Sequence, residues 1–123
     1  MAKFFKVAAA QGEVNIRRIS EIPENIKEHL IPIKAENGLL IVGHSESGSH
    51  HGFRDESGVT LLERTKDVPA GMKIIYAIIE NPAELIQDAS TPHDTISYEP
   101  GIYEHRISRE YNPFLEEAQR VAD

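Results

Sequence analysis

The chain has 123 residues, a net charge of −7 and no cysteine. This length fits one domain with one core, and the 40% apolar and 27% charged residues are typical of an ordinary folded chain. Without cysteine there are no disulfides or thiolate metal sites, so a transition metal would need histidine and carboxylate ligands. The acidic charge argues against nucleic acid as a partner, because binding to phosphates depends on Lys and Arg.

The sequence also argues against a membrane partner. No apolar run approaches the roughly 18 residues of a membrane-spanning helix. The first ten residues are short and weakly apolar for a signal peptide. We therefore expect the protein to be cytoplasmic, or to be assembled from the cytoplasm.

The first half of the chain predicts short strands joined by turns. Residues 12–17 alternate apolar and polar side chains, and residues 30–34 are predicted as an edge strand because they contain a proline. Between them, residues 21–29 predict a turn or a single helical turn. Asn37-Gly38 predicts a hairpin turn leading into residues 39–42, which are apolar on both faces and therefore predicted to be a central strand. A second hairpin is predicted around residues 56–58.

Two longer strands are predicted in the second half. Residues 72–80 form the longest strand candidate and are apolar on both faces, which places them in the core. In residues 103–111, a period of two puts Tyr103, His105 and Ile107 on one face. Each segment follows a turn containing Pro and Gly, and this echo is what two paired strands of equal length would produce.

The last residues predict a helix. Asn112 suits the N-cap, Pro113 suits the first helical position, and one apolar stripe follows, formed by Phe114, Leu115, Ala118, Val121 and Ala122. We expect this helix to dock on the domain or on a neighbouring subunit. The fold class is then mainly β, a small antiparallel barrel or sandwich, cupin-like or β-clip-like, in one domain (1–123) with an N-terminal arm (1–11) and a C-terminal helix (112–123).

A histidine-rich segment follows the apolar run at residues 39–42. It contains His44, His50 and His51 among glycines and serines, and we expect it to be a polar loop. Imidazole suits zinc, iron, nickel or copper. Because a loop and an inward residue of another strand can meet at the mouth of a small barrel, the sequence predicts a metal site, with zinc the first candidate. Its ligands are drawn from His44, His50, His51, His93 and His105, with Glu46 as a further candidate.

Three other interpretations stay open at this point. The histidines can be part of an exposed, hydrogen-bonded loop, with His105 in the core, and can act as a charge switch near their usual pKa of about 6.5. Ser45 lies in a segment that imitates the nucleophile elbow of α/β-hydrolases, although that fold needs a parallel sheet with crossover helices. Finally, the apolar start, the edge strand and the terminal helix fit an assembly protein that forms a homo-oligomer. Enzymatic activity is therefore undecided.

Several motifs together resemble a family of small uncharacterised proteins from bacteriophages and bacterial genomes. They are Gly12-Glu13-Val14, the His-rich Gly-His loop, Pro100-Gly101-Ile102-Tyr103, Arg109-Glu110-Tyr111 and Arg120-Val121-Ala122-Asp123. The resemblance covers most of the chain from Gly12 onward, and Ser49 departs from it where a further histidine is expected. It implies a phage or phage-like origin, other phage proteins as partners, and a place in the host cytoplasm or the virion. It implies no activity.

Overall fold

The computed structural model describes residues 3–4, 8–11, 14–44, 50–55, 58–88 and 95–108. These residues form eleven β-strands and one short 3₁₀ helix, Glu24–Ile26. In chain order the strands are Lys3–Phe4 (β1), Ala8–Gln11 (β2), Val14–Ile19 (β3), Leu30–Pro32 (β4), Leu39–His44 (β5), His50–Arg54 (β6), Val59–Arg64 (β7), Met72–Ile79 (β8), Ala83–Asp88 (β9), Ile96–Tyr98 (β10) and Gly101–Ser108 (β11). Over these ranges, no helix is long and apolar enough to cross a bilayer. The helix predicted over residues 112–123 lies outside the described residues.

The strands form two sheets that share one interior. The five-stranded sheet has the order β1-β10-β9-β6-β5, and the six-stranded sheet has the order β2-β3-β11-β8-β7-β4. All neighbours in both sheets are antiparallel except β1 and β10, which are parallel. The mainly β class is confirmed and the sandwich alternative describes it. A closed barrel, the other alternative, is wrong for the described chain, because each sheet ends in two edge strands.

The two longest strands lie side by side in the middle of the six-stranded sheet. β8 and β11 pair from Gly101 opposite Ile79 to Ser108 opposite Met72. The turn before β8 forms as predicted, with the Met72 backbone N–H donating to the Pro69 carbonyl at 3.1 Å. The prediction that the two echoing segments pair is therefore confirmed, as is the central position of residues 72–79.

The sandwich core fills the space between the sheets. Alternation along each strand sends every second side chain inward, because successive residues of a strand point to opposite faces. The buried members of the sandwich core are Val14, Ile16, Leu40, Val42, Phe53, Val59, Leu61, Ile75, Ala77, Ile79, Ala83, Leu85, Ile96, Tyr98, Tyr103 and Ile107.

A smaller cluster, the outer cluster, covers the far face of the six-stranded sheet. Ile22 and Ile26, on either side of the 3₁₀ helix start, pack over Ile74 and Tyr76 of β8. This segment confirms the single helical turn predicted within residues 21–29. With apolar neighbours on both faces, β8 is buried on both sides, which explains its continuous apolar sequence.

Two predictions about strand partners are wrong, and a third holds only next to its turn. The turn at Asn37 and Gly38 forms, with φ angles of 52° and 77°, and Glu36 and Leu39 on either side of it form an antiparallel bridge. The hairpin extends no further, because β4 and β5 belong to different sheets. Likewise β6 and β7 separate into different sheets and form no hairpin. Among the described residues, β5 lies at the edge of its sheet rather than in the centre. Turn chemistry is local, so it predicts where the chain reverses without deciding which sheet the next strand joins.

Candidate functional site

The histidine-rich segment is partly a strand rather than a loop. His50 and His51 begin β6, which pairs with β5 on one side and β9 on the other. The expectation of a loop over all of this segment is therefore wrong, because Phe53 fixes the strand by packing inward. Within β6 the neighbouring histidines point to opposite faces: His51 and Phe53 face the sandwich core, and His50 faces outward.

His51 is fully buried beside β5. Its partner across the strands is Gly43, and a Cβ atom at that glycine would lie 3.6 Å from Cδ2 of His51 and 3.3 Å from Cγ2 of Val14. A methyl group at this position would be in contact with the His51 ring and would require a shift of a few tenths of an ångström at Val14. His51 is thus held inside the sandwich, one layer below the outer surface on which His50 lies.

His105 is the second fully buried histidine, on the inward face of β11. Its Nε2 forms a hydrogen bond of 2.6 Å with the hydroxyl of Tyr98, which lies on β10 of the opposite sheet. The two rings stack with centroids 5.6 Å apart, and Phe53 contacts both rings edge-on. This inward position confirms the face predicted for Tyr103, His105 and Ile107. The hydrogen bond joins the two sheets inside the core.

Burial determines the protonation of this pair. Removal from water lowers the pKa of His105 from 6.5 to about 4, while the backbone of Ile75 and Tyr103 acts in the opposite direction. Burial also raises the pKa of Tyr98 well above its usual value, with a smaller contribution from Tyr103. Both groups are therefore neutral at pH 7. A neutral pair enclosed in this way stabilises the fold, and it offers no surface to a substrate.

An aromatic and charged cluster closes one end of the interior next to this pair. The Tyr103 ring lies edge-on to Tyr98, with centroids 4.7 Å apart, and its hydroxyl donates to the Glu99 carbonyl at 2.6 Å. The Arg18 guanidinium lies 5.7 Å from the Tyr103 ring centre and donates to the Pro100 carbonyl at 2.9 Å. A tyrosine that bonds back to the preceding corner is a structural device of sandwich folds. This cluster fixes the β10–β11 corner.

The outward-facing row of β6 lies in a different place. In the pairing of β5 with β6, His44 stands opposite His50, and in the pairing of β6 with β9, Asp88 stands opposite His50 on the other side. Residues directly opposite each other in a sheet share a face, and their Cβ atoms lie about 4.5–5.5 Å apart. His44, His50 and Asp88, which we call the outer row, therefore occupy one line across three strands.

The five predicted metal ligands are thus divided by the sheet. His51 and His105 are inside the sandwich, His44 and His50 occupy opposite register positions on its outer face, and His93 lies outside the described residues, as does Glu46. Among the residues whose side chains the structure describes, no group of three metal-binding types is arranged around a common point. The strand register therefore does not bring all five histidines together in one site.

The sequence patterns do not single out Asp88, which the strand register places opposite His50. The signal for its strand was present, since Ala83 and Leu85 are buried while Glu84 between them is exposed, a period of two. The position of Asp88 beside His50 depends on which strand β9 pairs with. No local pattern carries that information, because the two residues are far apart in the chain.

The serine hydrolase alternative receives no support from the fold. Ser45 itself lies outside the described residues, but the strands on either side of its segment, β5 and β6, are antiparallel neighbours in a sandwich. A nucleophile elbow joins a strand of a parallel sheet to a helix. The strands around Ser45 therefore belong to a different architecture from the one that the motif requires.

Comparison with known proteins identifies a family. The model of a domain of unknown function, DUF8820, matches residues 10–108. The chain belongs to the DUF8820 family. The match extends through the end of β11, so the DUF8820 domain includes the outer row and the buried Tyr98–His105 pair. No curated protein and no solved structure matches the chain. This match confirms the prediction that the chain belongs to an uncharacterised family.

Proposed function

We propose that this DUF8820 domain binds a divalent transition metal, with zinc the expected ion, at the outer row formed by His44, His50 and Asp88. The observation that carries the proposal is the strand register, in which His50 has His44 on one side and Asp88 on the other. Three ligand-type residues from three neighbouring strands meet in this row, although 38 positions separate His50 from Asp88 (88 − 50).

The spacing of a sheet suits such a site. Neighbouring strands lie about 4.8 Å apart, so β5 and β9 are about 10 Å apart with His50 midway between them. A metal above the middle strand is then within reach of ligands on both neighbouring strands, at about 2.0–2.1 Å from each imidazole nitrogen. Because β6 is paired on both sides, the central ligand is attached to a rigid part of the fold.

The chemistry of the three residues favours a transition metal over calcium or magnesium. Two imidazoles and one carboxylate form a set typical of zinc and of non-haem iron, whereas calcium and magnesium prefer oxygen ligands alone. Three protein ligands leave at least one coordination position for water or a small ligand. This is the narrower form of the metal site predicted from the sequence, with His51 and His105 removed and Asp88 added.

Zinc titration of the purified protein tests this proposal. We expect one zinc per chain by calorimetry and by elemental analysis, and loss of that zinc in the double variant His44→Ala/His50→Ala. Asp88→Asn should weaken binding, since the amide lacks the charge of the carboxylate. The control is His29→Ala, which removes a partly exposed histidine directly before β4 of the other sheet.

Retention of stoichiometric zinc by the double variant would contradict the proposal. Equal loss of zinc in His29→Ala would do the same, because it would indicate nonspecific binding to surface histidines.

A second proposal, non-enzymatic assembly, is favoured by an exposed apolar side chain at a sheet edge. Ile31 of β4 exposes 58% of its surface, and among the described residues it is the one large hydrophobic residue that is exposed. It lies on the outermost strand of the six-stranded sheet, where a second copy or another protein has access. From this edge strand and from the resemblance described above, we infer that the protein is a phage-type component that assembles in the host cytoplasm or in the virion.

The size of the protein in solution tests the assembly proposal. We expect a homo-oligomer in sedimentation at high concentration, and dissociation to a monomer in Ile31→Asp. A matched change at an exposed residue elsewhere, Thr60→Asp, should leave the oligomer intact. A parent protein that stays monomeric at high concentration, alone and with its candidate partners, would contradict this second proposal and leave the zinc proposal unaffected.

A further inference from the structure

One buried apolar side chain of the described residues lies outside both hydrophobic clusters. Ile41 exposes only 8% of its surface, yet it belongs neither to the sandwich core nor to the outer cluster. On β5, Leu40 and Val42 point into the core, so Ile41 between them points to the outer face of the five-stranded sheet. Something therefore covers Ile41 on a face to which neither cluster extends.

The surroundings of Ile41 form an apolar surface on that face. Ile41 stands opposite Gly52 of β6, and Gly52 stands opposite Ile86 of β9. Leu39 leans over the glycine, since a Cβ atom there would lie 2.9 Å from Cγ of Leu39. We call Leu39, Ile41, Gly52 and Ile86 the outer apolar patch. Its edge strand was predicted to be central because it is apolar on both faces, and a covered outer face accounts for that pattern.

We propose that the chain's own C-terminal segment, residues 109–123, docks on the outer apolar patch. The apolar content of that segment supports this docking. Its predicted amphipathic helix presents one apolar stripe, formed by Phe114, Leu115, Ala118, Val121 and Ala122. An apolar stripe of this kind is stable when it packs against an apolar surface, and the outer apolar patch is such a surface.

The position at which β11 ends also supports this docking. Ile107, next to the last residue of β11, lies close to β5: a Cβ atom at Gly43 would be 3.8 Å from its Cγ2. The chain therefore leaves the six-stranded sheet opposite the edge strand that carries Ile41. The two layers are about 10 Å apart. Residues 109–112 can span about 14 Å when extended, which is enough to pass around the β5 side of the five-stranded sheet before the predicted helix begins.

Thiol labelling in the full-length chain tests this docking, because the natural sequence has no cysteine. In the single variant Ile41→Cys, the thiol should react slowly. Addition of Phe114→Asp/Leu115→Asp should raise its rate about ten-fold or more, since each lost large apolar contact changes the open population by roughly that factor. The matched change Glu116→Ala/Glu117→Ala, outside the stripe, should leave the rate unchanged.

Two further cysteine variants interpret the rates. Arg54→Cys, exposed on the same face, gives the rate of an uncovered thiol, and Leu40→Cys, inside the sandwich core, should stay protected in every variant. A thiol at position 41 that remains protected after the stripe is changed would overturn the proposal, because another segment would then be the cover. The proposal would also fail if, in the chain with an unchanged stripe, the thiol of Ile41→Cys reacted as fast as that of Arg54→Cys.

Crosslinking settles the case in which the stripe variant unfolds and the thiol of Leu40→Cys also reacts. The pair Ile41→Cys/Leu115→Cys should form a disulfide within one chain under mild oxidation, and the pair Ile41→Cys/Glu117→Cys should form it far less. The absence of the first crosslink in folded protein would overturn the proposal. A crosslink found only between two chains would also overturn it, because the cover would then be a second copy. Neither result bears on zinc binding at the outer row.

Discussion

The interior and the outer face of this sandwich use histidine in opposite ways. His105 is fully buried, is bonded to Tyr98 across the two sheets, and is held neutral by a pKa of about 4. His50 is only partly buried and stands between His44 and Asp88 in the register of the outer face. The interior histidine stabilises the packing of two sheets, and the outer one is the central ligand in the proposed zinc site.

Strand alternation, rather than residue type, separates these roles. His50 and His51 are neighbours in β6, yet one faces the outer row and the other the core. A count of histidines in the segment treats them alike. The two environments therefore predict different responses to mutation, pH and zinc.

The largest expected effect comes from removing the interior ring. His105→Ala should lower the free energy of unfolding by about 3–4 kcal/mol, because it leaves a cavity in the sandwich core and removes the hydrogen bond to Tyr98. His50→Ala should change it by less than about 1 kcal/mol, as for other substitutions outside a core. Chemical denaturation in the absence of metal measures both. Equal losses would break the distinction between the two regions.

The second effect is a loss of stability in acid that depends on the interior histidine. Between pH 6.5 and 4 the unfolded chain binds a proton at His105 and the folded chain does not, so stability falls as the pH falls through this range. A pKa lowered from 6.5 to about 4 corresponds to about 3 kcal/mol in total, with no further loss from this group below pH 4.

The variant His105→Gln isolates that contribution from the other titrating groups. Unfolding measured from pH 7.5 to 4 should show a steeper decline for the parent than for the variant, and the difference is the contribution of His105. Identical declines would contradict the burial of a neutral imidazole in this core.

The third effect concerns the strand that holds the outer row. In Gly52→Ala the new Cβ atom would lie 2.6 Å from the Leu40 carbonyl oxygen, which is closer than a Cβ atom approaches an oxygen in real proteins, so β5 and β6 must separate. We expect a loss of about 2 kcal/mol in the free energy of unfolding, as for other overpacked sites. Zinc affinity should fall as well, because His44 and His50 lie on these two strands. Unchanged zinc affinity in calorimetry would count against the outer row.

The smallest expected effect on stability comes from removing a single oxygen atom. Tyr98→Phe keeps the ring contacts with Phe53 and Tyr103 and removes only the hydroxyl that bonds His105. We expect a loss of about 1 kcal/mol in the free energy of unfolding and no change in zinc binding. A double-mutant cycle with His105→Gln measures the pairwise contribution, and a coupling energy of zero would show that the bond adds nothing to stability.

Features fixed by local chemistry could be predicted from the sequence. The inward face of Tyr103 and His105, the central position of β8 and the turn at Asn37 and Gly38 follow from side-chain alternation and from backbone conformations. The partners of β5 could not be predicted in this way. Its apolar residues on both faces indicate burial, but they do not distinguish a central strand from an edge strand whose outer face is covered.

The candidate site shows the same limit. His44 and His50 were recognised because they are close in sequence, and the sheet places them opposite each other. Asp88 joins them only through the pairing of β6 with β9, a contact between distant parts of the chain. The sequence predicts His105 in the same site because, in a barrel, an inward residue of this strand would lie near the mouth. Two open sheets enclose it instead, since its strand turns that face toward the core.

Side-chain nitrogen NMR of the full-length protein during zinc addition tests the central distinction most directly, because it observes each of the six histidine rings separately. The ring nitrogens of His44 and His50 should shift as one equivalent of zinc binds, while those of His51 and His105 stay where they are. A zinc-dependent shift at His105 or His51 with none at His50, or no shift at any ring, would contradict the assignment of the metal to the outer face.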